Sequence, residues 1–314
     1  MKVLVTGGAG FIGSHVVRFL LAEGHDVTVL DNLRTGSWEH VPMGDIHSWT
    51  MDVRSERAHE EIEHAHFEAI VHLAAQTMVD ASIRDPLFDA QENVIGTVNV
   101  LEAARHSGVG RVLLASTAAA YGDVAESRLP LKEDTPLLPL SFYGFTKVAA
   151  ERYLVLYQRN FGLDYVALRF ANVYGERQGD AGEGGVISIF AKRIAQGEGI
   201  TIFGDGKQTR DFIYAGDIAS GIGAALKTEQ VNEVYNLSTQ TEVSLNELVK
   251  TLAEVAGREI SPEYAEVRAG DIYRSMLCNE MARQGLGWQP QTSLRDGLKK
   301  TYDYFVEQYR GTEN

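Results

Sequence analysis

Thr6-Gly7-Gly8-Ala9-Gly10-Phe11-Ile12-Gly13 follows directly on the apolar run Val3-Leu4-Val5, and its reading decides the fold class. A short β-branched strand, Lys2 to Thr6, runs into a glycine-rich turn, and the turn opens a segment of helical apolar period from Phe11 to Ala22. In such a unit the first N–H groups of the helix and its dipole face an anion. Gly7, Gly10 and Gly13 suit the turn because a β-carbon there would block the tight bend, the approach of a pyrophosphate to the backbone, or close helix–strand packing. In a chain with 31 glycines the triplet gains weight only from its surroundings. A second predicted strand, Asp26 to Leu30, ends in Asp31-Asn32, so a carboxylate follows the last glycine by about the ~20 residues expected for one that holds an adenosine ribose diol. That carboxylate repels a 2′-phosphate and favours NAD over NADP, with Arg34 nearby as the counter-argument.

Working outward, the pattern repeats. Further strands are predicted at His47 to Met51, Ala69 to Leu73, Arg111 to Thr117 and Tyr165 to Phe170, with helices at Arg54 to His64, Pro86 to Ser107 and Tyr143 to Phe161. Strands alternating with helices make an α/β fold with a doubly wound parallel sheet. The Gly-rich, acidic loop from Gly175 to Gly185 marks the boundary between residues 1–174 and a smaller, mixed α/β part, 175–314. Beyond it, Asp217 and Ser244 read as N-caps of helices over Ile218 to Leu226 and Leu245 to Ala256. Val234 to Leu237 reads as a strand returning to the sheet, so the two parts are expected to interleave.

Composition narrows the partners. The chain has 314 residues, 44% of them hydrophobic and 23% charged, which is ordinary for a folded globular protein. A formal net charge of −14 opposes binding to nucleic acid or to an anionic membrane. No apolar run approaches a membrane span, and the lone Cys278 excludes an internal disulfide; we expect a cytoplasmic protein. An anionic small substrate would need locally placed arginines.

Tyr143 and Lys147 stand four apart at the start of a predicted helix and therefore share a face. The helix follows a strand ending in Ser116-Thr117, and open parallel sheets bind ligands at the carboxyl ends of their strands. A phenol with a free pKa near ~10 becomes a useful base at neutral pH when an ammonium and a cationic nicotinamide lower that value. In this reading Tyr143 is the base. Lys147 holds the nicotinamide ribose and depresses the phenol pKa, and the Thr117 hydroxyl bonds the oxygen that alternates between alcohol and ketone. Spacing alone also admits a surface tyrosine, a solvated lysine and a strand-end threonine.

The segments Thr6 to Gly13, Leu30-Asp31-Asn32, His72-Leu73-Ala74-Ala75, Asn93-Val94-Ile95-Gly96-Thr97, Tyr143-Gly144-Phe145-Thr146-Lys147 and Arg169-Phe170-Ala171-Asn172-Val173-Tyr174-Gly175 together resemble the extended short-chain dehydrogenase/reductase family. Phe203-Gly204-Asp205-Gly206, Arg210-Asp211-Phe212 and Arg268-Ala269-Gly270-Asp271 extend the likeness over nearly the whole chain, most closely to the family's UDP-hexose 4-epimerases. The resemblance implies a Rossmann domain over 1–174 and a mainly nucleotide-sugar-binding part over 175–314. It implies that Gly7, Gly10, Phe11, Ile12, Gly13, Asp31, Asn32, Thr35, Gly36, Asp52, Val53, Leu73, Ala74, Ala75, Gln76, Asn93 and Phe170 line NAD together with Tyr143 and Lys147. Asn172, Val186, Thr201, Phe203, Arg210, Arg268, Asp271 and Ser275, with Thr117, would line a UDP-sugar. Arg210 and Arg268 answer the charge question, since a pyrophosphate needs local cations.

Family members that eliminate water or carbon dioxide typically carry an acidic residue soon after the hydroxyl residue that ends the fifth strand. Here that segment is Ser116-Thr117-Ala118-Ala119-Ala120-Tyr121-Gly122, with no carboxylate, which leaves reversible oxidation at C4 through a transient 4-keto sugar. A related decarboxylase, dehydratase or oxidoreductase is the alternative, and a non-catalytic NAD-binding regulator a more distant one. Thr117 stands where serine is common, and Phe142 where proline often precedes the tyrosine. Ser275 aligns with a bulky tyrosine in members restricted to non-acetylated sugars, so room for UDP-GlcNAc and UDP-GalNAc is expected beside UDP-glucose and UDP-galactose. The resemblance also implies a homodimer. His59, His64 and His66 lie close in sequence, but His59 and His64 are five apart and point to different helix faces; no metal site is expected there.

Overall fold

A computed structural model describes residues 1–179, 184–267 and 272–312. In chain order its elements are β1 (Lys2–Thr6), α1 (Phe11–Ala22), β2 (Asp26–Asp31), β3 (His47–Thr50), α2 (Glu56–Ala65), β4 (Ala69–His72), α3 (Val79–Arg84), α4 (Pro86–Ala90), α5 (Gly96–Ser107), β5 (Arg111–Thr117), α6 (Phe142–Phe161), β6 (Asp164–Phe170) and β7 (Asn172–Tyr174). There follow α7 (Val186–Ala195), β8 (Thr201–Phe203), β9 (Thr209–Arg210), β10 (Phe212–Tyr214), α8 (Ala215–Lys227), β11 (Glu233–Leu237), β12 (Val243–Ser244), α9 (Leu245–Ala256), β13 (Glu263–Ala265), α10 (Glu280–Gly285) and α11 (Leu294–Thr312).

Seven strands form one parallel sheet in the order β11-β6-β5-β4-β1-β2-β3. The order reverses between β1 and β4, and that gap at their carboxyl ends is where an open α/β sheet receives a ligand. Because successive side chains alternate in direction, Val3 and Val5 of β1 join one core with Val16, Val17, Leu20, Ile218 and Ile222, while Leu4 joins the other with Ile70, Val100, Leu101 and Leu154. The sheet is thus covered on both faces, which explains why its strands read as continuous apolar runs. A third core, built from Ile187, Phe190, Ile194, Leu248, Leu252 and Leu298, joins α7, α9 and α11. No helix of the described residues is long and apolar enough to cross a membrane.

Three local expectations are corrected. Pro86 to Ser107 is not one continuous helix: α4 and α5 are separated by a π turn over Gln91–Ile95. Its wider winding accompanies side-chain bonds that Asn93 makes toward the loop after β4, a use typical of π turns near functional sites. Asp217 does not cap α8, which starts two residues earlier; its buried carboxylate accepts from the backbone N–H of Gln291 (3.0 Å) and Thr292 (3.1 Å) and pins the approach to α11. Finally, α2 begins after Ser55, whose hydroxyl accepts from Ala58 N–H, while Arg54 turns back onto the Asp52 carboxylate at 2.6 Å. Ser244 does cap α9, in a reciprocal capping box with Glu247.

Candidate active site

The glycine turn lies at the mouth of the gap between β1 and β4. Gly7 has φ +71°, and a β-carbon on it would lie 2.7 Å from the backbone nitrogen of Ala74, so the turns after β1 and β4 touch backbone to backbone. A β-carbon on Gly13 would lie 2.1 Å from the Gly7 carbonyl oxygen, so only glycine lets α1 sit this close beneath the turn. The buried Asp31 carboxylate accepts from Ala9 N–H at 3.0 Å and from Leu33 N–H at 2.8 Å, and burial raises its pKa. It braces the turn and stands at the end of β2. Gly36 packs against Ala9 and the Asp31 carboxylate, Thr35 beside it is exposed, and Asn32 donates to Asp52 at 3.4 Å. Arg34 lies over the Phe88 ring at 4.0 Å. The backbone cradle and the acidic strand end fit a dinucleotide whose pyrophosphate would lie against the N-terminus of α1.

We expect Gly13→Ala to cost the protein roughly five- to 150-fold in dinucleotide affinity, because overpacking of about 1–3 kcal/mol must separate turn from helix. Titration of the stripped protein with NAD checks this; unchanged affinity would refute the role of the close approach.

Across the gap, β5 ends in Thr117 and α6 starts after Ser141, whose hydroxyl accepts from Gly144 N–H at 3.1 Å. That cap places Tyr143 in the first turn of α6 and Lys147 one turn further along the same face. The Thr117 hydroxyl lies near the Tyr143 phenol and favours its ionised form. Ala119 N–H donates to Thr117 Oγ1 at 3.1 Å, which leaves the hydroxyl proton to be donated toward the phenol.

Burial dominates the electrostatics of the phenol in the protein alone. It pushes Tyr143 above its ordinary pKa; the Thr117 hydroxyl pulls it down only in part, and the Asp89 carboxylate pushes it further up. Lys147 is brought to about 8 by burial, against the pull of Asp89 and Glu151. The protein alone therefore holds Tyr143 protonated, and a further cation at the site is needed to make the phenol a base.

A buried polar network supports this wall. Asp89 accepts from Gln76 Nε2 at 2.6 Å, Asn93 Nδ2 at 3.2 Å and Thr146 Oγ1 at 3.0 Å. Asn93 Oδ1 accepts from Gln76 N–H at 2.8 Å, and Asn93 Nδ2 reaches the Gln76 carbonyl at 3.0 Å. The loop of Leu73, Ala74, Ala75 and Gln76 is thereby held against α6 by side chains of the π turn and α4. His72 bridges Thr6 Oγ1 (2.7 Å) and Thr97 Oγ1 (3.0 Å); burial, with Lys147 nearby, drives its pKa to about 3, so it is neutral. Beneath α6, Arg169 of β6 grips Glu151 through two nitrogens at 3.0 and 2.7 Å, and Ser116 also donates to Glu151. Asp89, His72, Glu151 and Arg169 were not singled out as site residues in the sequence. A buried charge in a strand or helix was the only available signal, and it is visible only once burial is known.

The residues expected at the nucleotide-sugar lie on other elements. Asn172 opens β7, exposed, with its N–H on the Asp211 carbonyl at 2.9 Å. Val186 opens α7, Thr201 and Phe203 begin and end β8, and Arg210 ends β9. Asp211 collects four donors: Thr239 N–H and hydroxyl, Gln240 N–H and Leu277 N–H, with burial lifting its pKa to about 6. It clamps β10, the loop after β11 and the segment carrying Ser275 together. Ser275 is half-buried between Tyr273, whose carbonyl accepts from Thr209 N–H, and Met276, whose carbonyl accepts from Leu131 N–H. Arg268 and Asp271 lie outside the described residues.

The pattern described as the NAD dependent epimerase/dehydratase family matches residues 3–238. The chain belongs to that family. NAD is accordingly its cofactor, in keeping with the glycine cradle and the Asp31 strand end. A putative UDP-glucose 4-epimerase of Methanocaldococcus jannaschii is 40% identical over 310 residues, covering 98% of this chain and 99% of that protein. The UDP-glucose 4-epimerase of Thermotoga maritima, solved with UDP-glucose, superimposes with a TM-score of 0.94 at 40% identity, covering 98% of this chain and 100% of that one. The UDP-N-acetylglucosamine 4-epimerase of Methanobrevibacter ruminantium M1, solved with UDP-N-acetylmuramic acid, gives 0.92 at 31% identity and 98% coverage of both chains. This chain is thus a member of the family's UDP-sugar 4-epimerase group.

Proposed function

We propose that this protein interconverts the C4 epimers of UDP-hexoses, with UDP-glucose and UDP-galactose as one pair and UDP-GlcNAc and UDP-GalNAc as a second. The observation that carries the reading is that Thr117, at the end of β5, lies near the Tyr143 phenol in the first turn of α6 and is followed by the Ala118–Ala120 turn, which brings no carboxylate. Tyr143 Oη takes the proton of the 4-hydroxyl as the C–H bond at C4 is oxidised, and returns it as the ketone is reduced on its other face. Thr117 donates to the oxygen that is alternately hydroxyl and ketone. Lys147 holds the nicotinamide ribose, one helical turn from the base. NAD, when bound, supplies the reversible two-electron oxidation at C4. With no acid placed beside Thr117, the site favours a closed cycle over elimination.

Asn172, Val186, Thr201, Phe203 and Arg210 would face the nucleotide-sugar, and the small Ser275 leaves space for an acetamido group. The deciding experiment denatures the purified protein, measures the NAD released, and incubates native protein with each UDP-sugar without added cofactor. Released NAD together with interconversion supports the reading; net consumption of NAD would overturn it in favour of a dehydrogenase. In the same panel Ser275→Tyr is expected to abolish turnover of UDP-GlcNAc while sparing UDP-glucose. Loss of both, or of neither, would remove Ser275 as the selector.

A second copy of the chain is the proposed partner. Phe142, Phe145, Tyr153 and Leu156 leave an exposed stripe along α6 at spacings of three, eight and three residues, and Ile83, Leu87 and Ile95 extend the exposed apolar surface on α3, α4 and the π turn. Such a contiguous apolar patch is the surface of an interface. Leu156→Glu is expected to convert a dimer into a monomer in sedimentation velocity; a wild-type monomer at micromolar concentration would refute it.

A further inference from the structure

Outside the active site, α2 and α5 bring three metal-ligating side chains together. We propose that His59, Glu63 and His106 form a binding site for a borderline divalent transition cation, with Zn²⁺ as its typical occupant. Among the described residues this is a group whose ligand atoms all lie within 4.8 Å of one another. His59 and Glu63 stand four apart on one face of α2, with His59 Nε2 at 3.5 Å from Glu63 Oε2. His106 comes from the last turn of α5, its Nδ1 4.0 Å from the same carboxylate oxygen. The spacing that separates His59 from His64 is real, but the second imidazole arrives from another helix, which no reading of α2 alone reveals.

The decisive feature lies behind His59. Asn99 donates its Nδ2 to the carbonyls of Val53 (2.6 Å) and Ser55 (3.1 Å), which fixes its amide and presents Oδ1 to His59 Nδ1 at 3.3 Å. An acceptor there keeps the proton on Nδ1 and leaves the Nε2 lone pair directed at Glu63. A metal-bound histidine is oriented in this way, by donating its other ring N–H to a carbonyl. A proton on Nε2 can join the two groups, and a divalent cation that displaces it would gain both as ligands. Tetrahedral zinc, with ligands at about 2.0–2.1 Å, places neighbouring donor atoms about 3.3 Å apart, so the ligands need to close by at most about 1.5 Å. His106 and Glu63, 39% and 40% exposed, have room for that movement. Two imidazoles with one carboxylate select zinc, cobalt or nickel over magnesium and calcium, which prefer all-oxygen sites.

The test uses tag-free, chelator-stripped, full-length protein titrated with ZnCl₂ by calorimetry and with CoCl₂ by visible absorption. We expect one saturable equivalent per chain, a cobalt d–d band in the visible, and a rise in Tm with zinc. His59→Ala and Glu63→Gln should weaken binding at least ten-fold, and the exposed His106→Ala should do the same without disturbing the fold. His64→Ala, on the same helix but outside the cluster, should bind as wild type. Absence of saturable binding, or equal affinity in wild type and the three cluster variants, would overturn the assignment; loss of binding in His64→Ala instead would move it to another histidine.

Discussion

Replacing Tyr143 by phenylalanine is expected to lower epimerase turnover by about 10²–10⁴-fold, the usual contribution of a positioned general base. The substitution removes one oxygen and keeps the ring, so the packing at the start of α6 and the Ser141 cap remain. What is lost is the atom that accepts the 4-hydroxyl proton, and Thr117, a hydroxyl with no useful basicity at neutral pH, cannot replace it. Initial rates on UDP-glucose should fall with little change in KM, and the NAD content of the denatured protein should match wild type. A kcat within a few-fold of wild type would eliminate Tyr143 as the base. Burial, opposed only in part by Thr117 and reinforced by Asp89, raises the phenol in the protein alone. Stripped protein should therefore show no phenolate absorbance at Tyr143 at neutral pH. Loading with NAD should create one that is absent from Tyr143→Phe, because the cofactor brings the missing positive charge.

Arg169→Leu is expected to destabilise the fold by about 3–5 kcal/mol, the cost of stranding a buried charge. Arg169 and Glu151 are 4% and 5% exposed and share two hydrogen bonds of 3.0 and 2.7 Å. Burial opposes the guanidinium charge, yet the bonds to Glu151 raise the Arg169 pKa above its usual value, and Arg169 also donates to Tyr121 and to the Glu133 carbonyl. Removing it leaves the Glu151 carboxylate without its cation and with only the Ser116 hydroxyl. For a chain of this size, roughly 2 °C per kcal/mol predicts a Tm lower by about 6–10 °C. A Tm within 2 °C of wild type in scanning calorimetry would refute the account. The paired change Arg169→Leu with Glu151→Leu should recover much of the loss, since an apolar pair can replace a buried ion pair.

The local units of the sheet were legible because two short-range signals agree at each. The apolar run of β1, the glycines and the helical period of α1 match the structure from Lys2–Thr6 to Phe11–Ala22 without displacement. The same agreement holds for β5 and, within one residue, for α6, where a serine cap and the left-handed Gly162 mark the ends. The π turn escaped because its apolar spacing differs from an α-helix by a single residue, too little for periodicity to register. Asp217 misled because an acidic residue in a first turn looks like a cap, whereas its partners lie some seventy residues away.

By itself, the sequence determined the order of strands and helices, the glycine turn with its acidic strand end, and the Tyr143–Lys147 pair on one helical face. Each of these rests on interactions between residues close in the chain, where spacing fixes geometry. Only the tertiary structure decided that the Thr117 hydroxyl lies near the Tyr143 phenol, that burial raises the phenol's pKa, and that Asp89 and Asp211 gather backbone and side chains from distant segments. It likewise decided that His106 faces His59 and Glu63. Desolvation and contacts across the fold set these properties, and both depend on how the elements pack, which no local pattern encodes.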